Sequence, residues 1–156
     1  MIFTFTIPGK AVPQGRGRAA RIHTKTGREF VKVMDESKSR NWKAYIKYLA
    51  AHEMQRSNFE GFSSISPLRM RVMVVMVRPK KPKNPHWPIV KPDVSNIIKG
   101  IEDALNGLVY PDDSQLVEIA IRKQYGDLAE THVQICQIGE GKEIVSDENE
   151  RRIEAV

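Results

Sequence analysis

The segment running from Leu68 to Pro88 constrains the fold more than any other part of the chain. Leu68–Val77 is rich in β-formers, and over Val72 to Val77 both alternating faces are apolar. Such a strand belongs at the centre of a sheet, covered on both sides. It stops abruptly, because Arg78-Pro-Lys-Lys-Pro-Lys-Asn-Pro-His-Trp-Pro follows, with four prolines and four basic residues. Proline has a fixed φ and no N–H to donate, so neither a helix nor a ladder propagates here and the segment is an exposed loop. After Pro92, Ile97, Ile98, Ile101 and Leu105 fall on one face of a helix over Ser95 to Leu105, which Asn106-Gly107 closes with C-cap chemistry.

The other elements follow by periodicity. Phe3, Phe5 and Ile7 alternate with Thr4 and Thr6, a first strand ended by Pro8-Gly9. From Lys10 to Lys32 there are seven basic residues, one acid and three glycines, which reads as a loop or ribbon facing a partner. Asp35 or Ser37 caps a helix reaching about Arg56, with Trp42, Ile46, Leu49 and Ala50 on one face, and residues 61–67 are a loop. Leu116 to Gln124 and Thr131 to Ile138 alternate across a short turn containing Gly126 and read as a hairpin. The order predicts an α+β fold, a mixed β-sheet packed against two main helices. With 156 residues and 40% apolar content, one domain over residues 1–138 is expected, followed by a charged tail over 139–156 that is disordered or a frayed helix.

Composition narrows the function classes. No apolar run approaches the roughly 20 residues that span a bilayer, and MIFTFTIPGK lacks a signal-peptide core, so a cytoplasmic protein without membrane contact is expected. Cys136 is the single cysteine, and His23, His52, His86 and His132 are far apart, which disfavours a disulfide or a zinc cluster. Residues 1–91 hold 19 Lys/Arg and 5 Asp/Glu, a balance of +14; residues 92–156 hold 6 and 14, a balance of −8. A basic portion suits a polyanion, and an acidic one suits a metal cation.

The acids gather around the second helix. Asp93 stands at its start and Asp112-Asp113 before the next strand. The helix rises about 17 Å while the chain from Asn106 to Asp112 can extend about 23 Å, so the return can bring Asp113 beside Asp93. Converging carboxylates repel one another unless a hard cation such as Mg²⁺ holds them, and on a basic protein the natural co-ligand is a phosphate. Each piece also has a structural reading. Asp93 can be an N-cap, Pro111-Asp112-Asp113-Ser114 a type I turn, and Lys99 the i+4 partner of Asp103.

Pro92-Asp93-x-x-Asn96-x-x-Lys99, Asp103-Ala104-Leu105-Asn106-Gly107 and Asp112-Asp113-Ser114-Gln115 together resemble the signature of the RusA family of endodeoxyribonucleases. Ile7-Pro8-Gly9-Lys10 with Gly15-Arg16, and Arg78-Pro79, extend the likeness over about Ile2 to Tyr125. The resemblance implies a homodimeric α+β nuclease, often prophage-borne, that resolves Holliday junctions in DNA recombination and repair and takes no small-molecule substrate. It assigns metal binding to Asp93 and Asp113, with Asp112 beside them expected as a further metal ligand, and contact with the reacting phosphate to Lys99. The implied cofactor is Mg²⁺, with Mn²⁺ as the alternative. One position departs: where the family pattern carries a second aspartate, this chain has Ser95, which can cap the helix or hold a metal-bound water instead.

Arg16, Arg18, Arg21, Arg78, Lys80, Lys81 and Lys83 are expected to track the DNA backbone. Trp87 or Phe30 can stack on an opened junction, or Trp87 can pack its own loop. A four-way junction needs two cuts and each chain holds one acidic group, so a two-fold dimer is expected. The rivals are a non-catalytic DNA-binding module in which Ser95 marks a decayed site, and an RNA-binding protein, which the lack of an RNP1-like motif disfavours.

Overall fold

The computed structural model describes residues 1–15, 18–23, 29–34 and 37–139, with residues 18–23 and 29–34 described as backbone only. The side chains of Arg16, Arg18, Arg21 and Phe30, the cap position Asp35 and the tail from residue 140 lie outside the described residues. The chain runs β1 (Ile2–Pro8), β2 (Arg18–His23), β3 (Glu29–Met34), α1 (Ser37–Ser57), β4 (Leu68–Val77), α2 (Val94–Leu105), a 3₁₀ turn (Asp113–Gln115), β5 (Leu116–Gly126) and β6 (Glu130–Gln137). It is an α+β fold: a four-stranded mixed sheet in the order β1-β6-β4-β5, with two helices. The basic segment near the N-terminus forms a two-stranded antiparallel ribbon, β2 with β3.

Apolar periodicity explains the core. Phe3, Phe5 and Ile7 of β1, Trp42, Ile46 and Ala50 of α1, Leu68, Met70, Val72 and Val74 of β4, and Ile97, Ile101 and Leu105 of α2 form one buried cluster. Both helices therefore lie on one face of the sheet. The expectation that β4 is covered on both sides needs a correction in kind. On its reverse face Met73 and Val75 are buried, but Met73 lies beneath a neighbouring side chain, with Arg122 Nη2 3.9 Å from its Sδ. Also on that face, Arg69 is buried and pairs with Glu118 at 2.7 Å. Where the helices cross, Gly100 lets the Trp42 ring approach, since a Cβ there would stand 3.2 Å from Trp42 Cζ3.

The expected hairpin is not formed. β5 pairs with β4 in parallel and β6 pairs with β4 antiparallel, so β4 lies between the two strands that the short turn joins. The reason lies in β4 itself: apolar on both faces, it is best satisfied with a hydrogen-bonded neighbour on each edge, and the α2 crossover delivers β5 parallel to it. The connection from Gly126 to Glu130 then passes over the end of β4. A Cβ at Gly126 would sit 2.5 Å from Val75 Cγ1, and β-branched valine has little freedom to yield. Gly126→Ala is expected to cost about 1–3 kcal/mol, measured by urea unfolding; an unchanged midpoint contradicts this packing.

Candidate functional site

Two loops fix the first half of the site. The proline-rich loop is fastened along its length: Arg78 Nη2 donates to Pro85 O at 2.7 Å, and Asn84 Oδ1 accepts from the N–H groups of His86 and Trp87, each at 2.8 Å. Lys123 of β5 donates to the carbonyls of Val90 and Pro92, tying the end of the loop to the sheet. Arg78, whose guanidinium also lies 5.5 Å from the centre of the Tyr125 ring, thus organises the loop as well as being exposed. Lys80, Lys81 and Lys83 project into solvent. Trp87 is 52% exposed and Ile89 62%, so Trp87 is only half packed into its own loop.

This loop delivers Asp93 to the N-cap of α2, where its carbonyl accepts from Asn96 and Ile97. The carboxylate makes no cap hydrogen bond, so capping does not account for it. Ser95 is the second residue inside the helix and exposed, so it is not the cap that its position near the helix start suggested. Lys99 follows one turn later on the exposed surface. It is not the partner of Asp103, whose carboxylate accepts from Gln14 Nε2 at 3.0 Å and pairs with Lys43 at 3.5 Å. Gln14 also donates its backbone N–H to Asn96 O at 2.9 Å. The segment leading to Arg16 is therefore laid along α2, a contact with no signal in the sequence.

The second half lies at the other end of the helix. Asp112 caps the 3₁₀ turn: Oδ1 accepts from Ser114 N at 2.8 Å, and Gln115 Oε1 accepts from Asp112 N at 3.2 Å. Hydrogen bonds from Ser114, side chain first and then backbone, hold the Asp112 carboxyl below its ordinary value. The turn therefore starts one residue later than a type I turn over Pro111 to Ser114, with Asp112 extended at φ −148° and ψ 138° as its cap, and the metal role expected of Asp112 competes with that cap. Gln115 is buried and its amide donates to Ser63 O at 2.7 Å and Ser66 O at 3.1 Å, pinning the turn beside the start of β4. Asp113 is exposed and lies in the electrostatic field of Glu102. Glu102 is pushed above the ordinary carboxylate value, chiefly by burial, with Lys99 opposing and Asp113 and Asp103 reinforcing the shift. Tyr110 is raised too, by burial first and then by the same three acids. Glu102 carries no signal of its own in the sequence, because it reads as one more polar position on an amphipathic helix.

Asp93 and Asp113 are thus held toward opposite ends of the α2–β5 unit. Nine residues of helix, about 13 Å, separate Asp93 from Glu102. The carbonyl preceding Asp93 rests on Lys123, seven residues or about 23 Å along β5 from Leu116. The returning chain does not bring the two aspartates together within one molecule. Consistently, no group of three His, Cys, Asp or Glu able to hold a metal occurs among the described residues. The donors at both ends are carboxylate oxygens, which suit a hard cation rather than zinc or copper.

The chain belongs to the RusA endodeoxyribonuclease family, which it matches over residues 8–136. This is a family of Holliday-junction-resolving endonucleases that are, as a group, metal-dependent. The chain is also similar to the uncharacterized protein YqaN of Bacillus subtilis strain 168. The two are 32% identical over 145 residues, covering 86% of this chain and 95% of that protein. No described helix is long and apolar enough to cross a membrane.

Proposed function

We propose that this chain, through a nuclease domain spanning residues 1–138, is a Mg²⁺-dependent endonuclease that resolves four-way DNA junctions in the cytoplasm. We further propose that it acts as a homodimer in which each site is shared. The reading rests on one observation: Asp93, a carboxylate at a helix N-terminus that performs no capping, lies far along the α2–β5 unit from Asp113. A two-fold partner brings the Asp113 end of one chain to the Asp93 end of the other, forming two sites from two chains, as many as a junction needs cuts.

Such carboxylates would hold Mg²⁺, or Mn²⁺ in its place, and the bound ion would supply charge neutralisation at the phosphate and a more acidic water. The chain's own residues do the rest. Asp93 and Asp113 hold the cation, and Asp112, through its capped turn, orients Asp113. Lys99 offsets charge that builds on the phosphate in the transition state. Lys80, Lys81 and Lys83, with the Arg16, Arg18 and Arg21 segment, neutralise backbone phosphates. The test is nicking of a synthetic four-way junction beside a linear duplex of the same sequence. Junction-selective nicking with Mg²⁺ and none in EDTA is expected; nicking that persists in EDTA, or selective binding without cutting in either metal, contradicts the reading.

Ser95 favours the second reading, a junction-binding module with a decayed site. An exposed serine one turn before Lys99 can hold a water but adds no charge, and each missing carboxylate weakens attraction for a divalent ion. The active reading therefore predicts cleavage at an elevated Mg²⁺ requirement. Ser95→Asp should move the half-saturating Mg²⁺ concentration down about tenfold, read from nicking rate against Mg²⁺ at saturating junction. An unmoved curve means position 95 does not face the cation, and cutting by the variant alone selects the decayed-site reading.

A further inference from the structure

We infer that Lys123 of β5 is a positioning residue for Asp93, fixing the backbone from which that carboxylate reaches toward the cation. This rests on the metal reading of Asp93 above and names the group that prepares the site before the cation arrives. Lys123 stands where an apolar side chain belongs. It lies in register with Val74 of β4, which is buried, and alternates with Ile121, which packs against the same core. An ammonium on the inward face of a strand is costly unless its three donors find partners. Here Nζ donates to Val90 O and to Pro92 O, the latter at 3.1 Å.

Those carbonyls close a segment that cannot organise itself. Pro88 and Pro92 have no N–H, and Val90 and Pro92 lie outside every helix and strand, so a side chain from elsewhere has to supply the order. The Pro92 carbonyl belongs to the peptide that enters Asp93, and Lys123 holds it. The Asp93 carbonyl belongs to the peptide that leaves, and the N–H groups of Asn96 and Ile97 hold that one. Both peptide planes that meet at the Asp93 Cα are thereby fixed, at φ −77° and ψ 138°, while the carboxylate makes no cap hydrogen bond. What remains free is rotation of the Asp93 side chain itself. Fixing one residue's backbone ahead of binding is worth about tenfold in affinity. The charge of Lys123 acts in the opposite sense, since a cation next to the carboxylate repels an arriving divalent ion. Loss of positioning therefore weakens cation binding, and loss of charge alone tightens it. A lysine set inward only to discourage pairing at the sheet edge leaves cation binding unchanged.

The experiment compares the native full-length chain with Lys123→Met, which keeps the stem without the donors, and Lys123→Arg, whose fork can donate to both carbonyls. Mn²⁺ binding is followed without DNA through the paramagnetic resonance signal of the free ion, so the readout does not pass through cleavage. Lys123→Met is expected to raise the Mn²⁺ dissociation constant about tenfold, and Lys123→Arg to recover most of that loss, with circular dichroism unchanged. Half-saturating Mg²⁺ for nicking should rise by the same factor in Lys123→Met, while the rate at saturating Mg²⁺ stays within about threefold of native. Junction affinity in EDTA should stay within about twofold, because no phosphate contact is lost. Where methionine unfolds the strand, Lys123→Gln, too short to reach both carbonyls, is the second variant and should also weaken Mn²⁺ binding. Tighter or unaltered Mn²⁺ binding by the folded neutral variant overturns the positioning role, as does a folded Lys123→Arg chain that binds no better. Asp93→Asn, measured beside them, separates the two claims. If it binds Mn²⁺ as the native chain does, the metal reading of Asp93 falls and this inference with it; if it loses Mn²⁺ while Lys123→Met keeps it, only the role of Lys123 falls.

Discussion

Asp113→Asn is expected to lower junction nicking about 10²- to 10³-fold, since losing one cation ligand removes several kcal/mol of transition-state stabilisation at 1.36 kcal/mol per decade. Junction affinity should stay within about twofold, because the change touches none of the basic side chains on the loop. The fold should survive as well: Asp112, not Asp113, supplies the cap that accepts Ser114 N, and Gln115 pins the turn to Ser63 and Ser66. Gel shift and nicking on one preparation separate the two effects. A variant cutting at the wild-type rate removes Asp113 from the site, and a variant that no longer binds assigns it to the fold or the DNA contact.

The second large effect is on binding. Lys80→Ala, Lys81→Ala and Lys83→Ala combined should weaken junction affinity about 10²- to 10³-fold at low salt, and flatten log K against log salt by about 2.7 per loop, or 0.9 per phosphate contact. The loop should keep its shape, because the bonds that fasten it come from Arg78, Asn84 and Lys123 and not from these lysines. Nicking at saturating junction should stay near the native rate. An unchanged salt slope means these cations are solvated and the DNA lies elsewhere.

Side-chain periodicity made much of the fold legible. The alternation of Phe3, Phe5 and Ile7, the stripe of Ile97, Ile101 and Leu105, and the prolines after Val77 each report a local environment, and each has its expected structure. Partner choice is not local. β5 and β6 alternate as hairpin strands do, yet β4 takes one on each side, and nothing between Gly126 and Glu130 encodes that insertion.

The site divides the same way. Asp93, Lys99 and Asp113 are visible in the sequence as charged residues around one helix, but chain length gives only how far the return between the aspartates can reach. Reach is an upper limit. Gly107, at φ +72°, donates to Tyr110 O at 2.8 Å, and the Tyr110 hydroxyl donates to Glu102 O at 3.2 Å. These contacts fold the return upon the helix end, and Gln115 then fixes it beside the start of β4, so little of the extension is used. Glu102 joins the acidic end for the same reason. Tertiary contacts, which no spacing rule contains, decide where the helix end meets the turn.

In the proposed dimer each catalytic site draws Asp93 from one chain and Asp113 from the other. The most direct measurement mixes full-length Asp93→Asn with Asp113→Asn after each has been shown inactive alone, allows subunits to exchange, and follows a synthetic four-way junction with Mg²⁺. A mixed dimer then has one site with both aspartates and one with neither. The shared site predicts that nicking returns on one strand per junction without paired resolution; a mixture as inactive as either variant alone, with exchange verified, would show that each chain builds its site by itself.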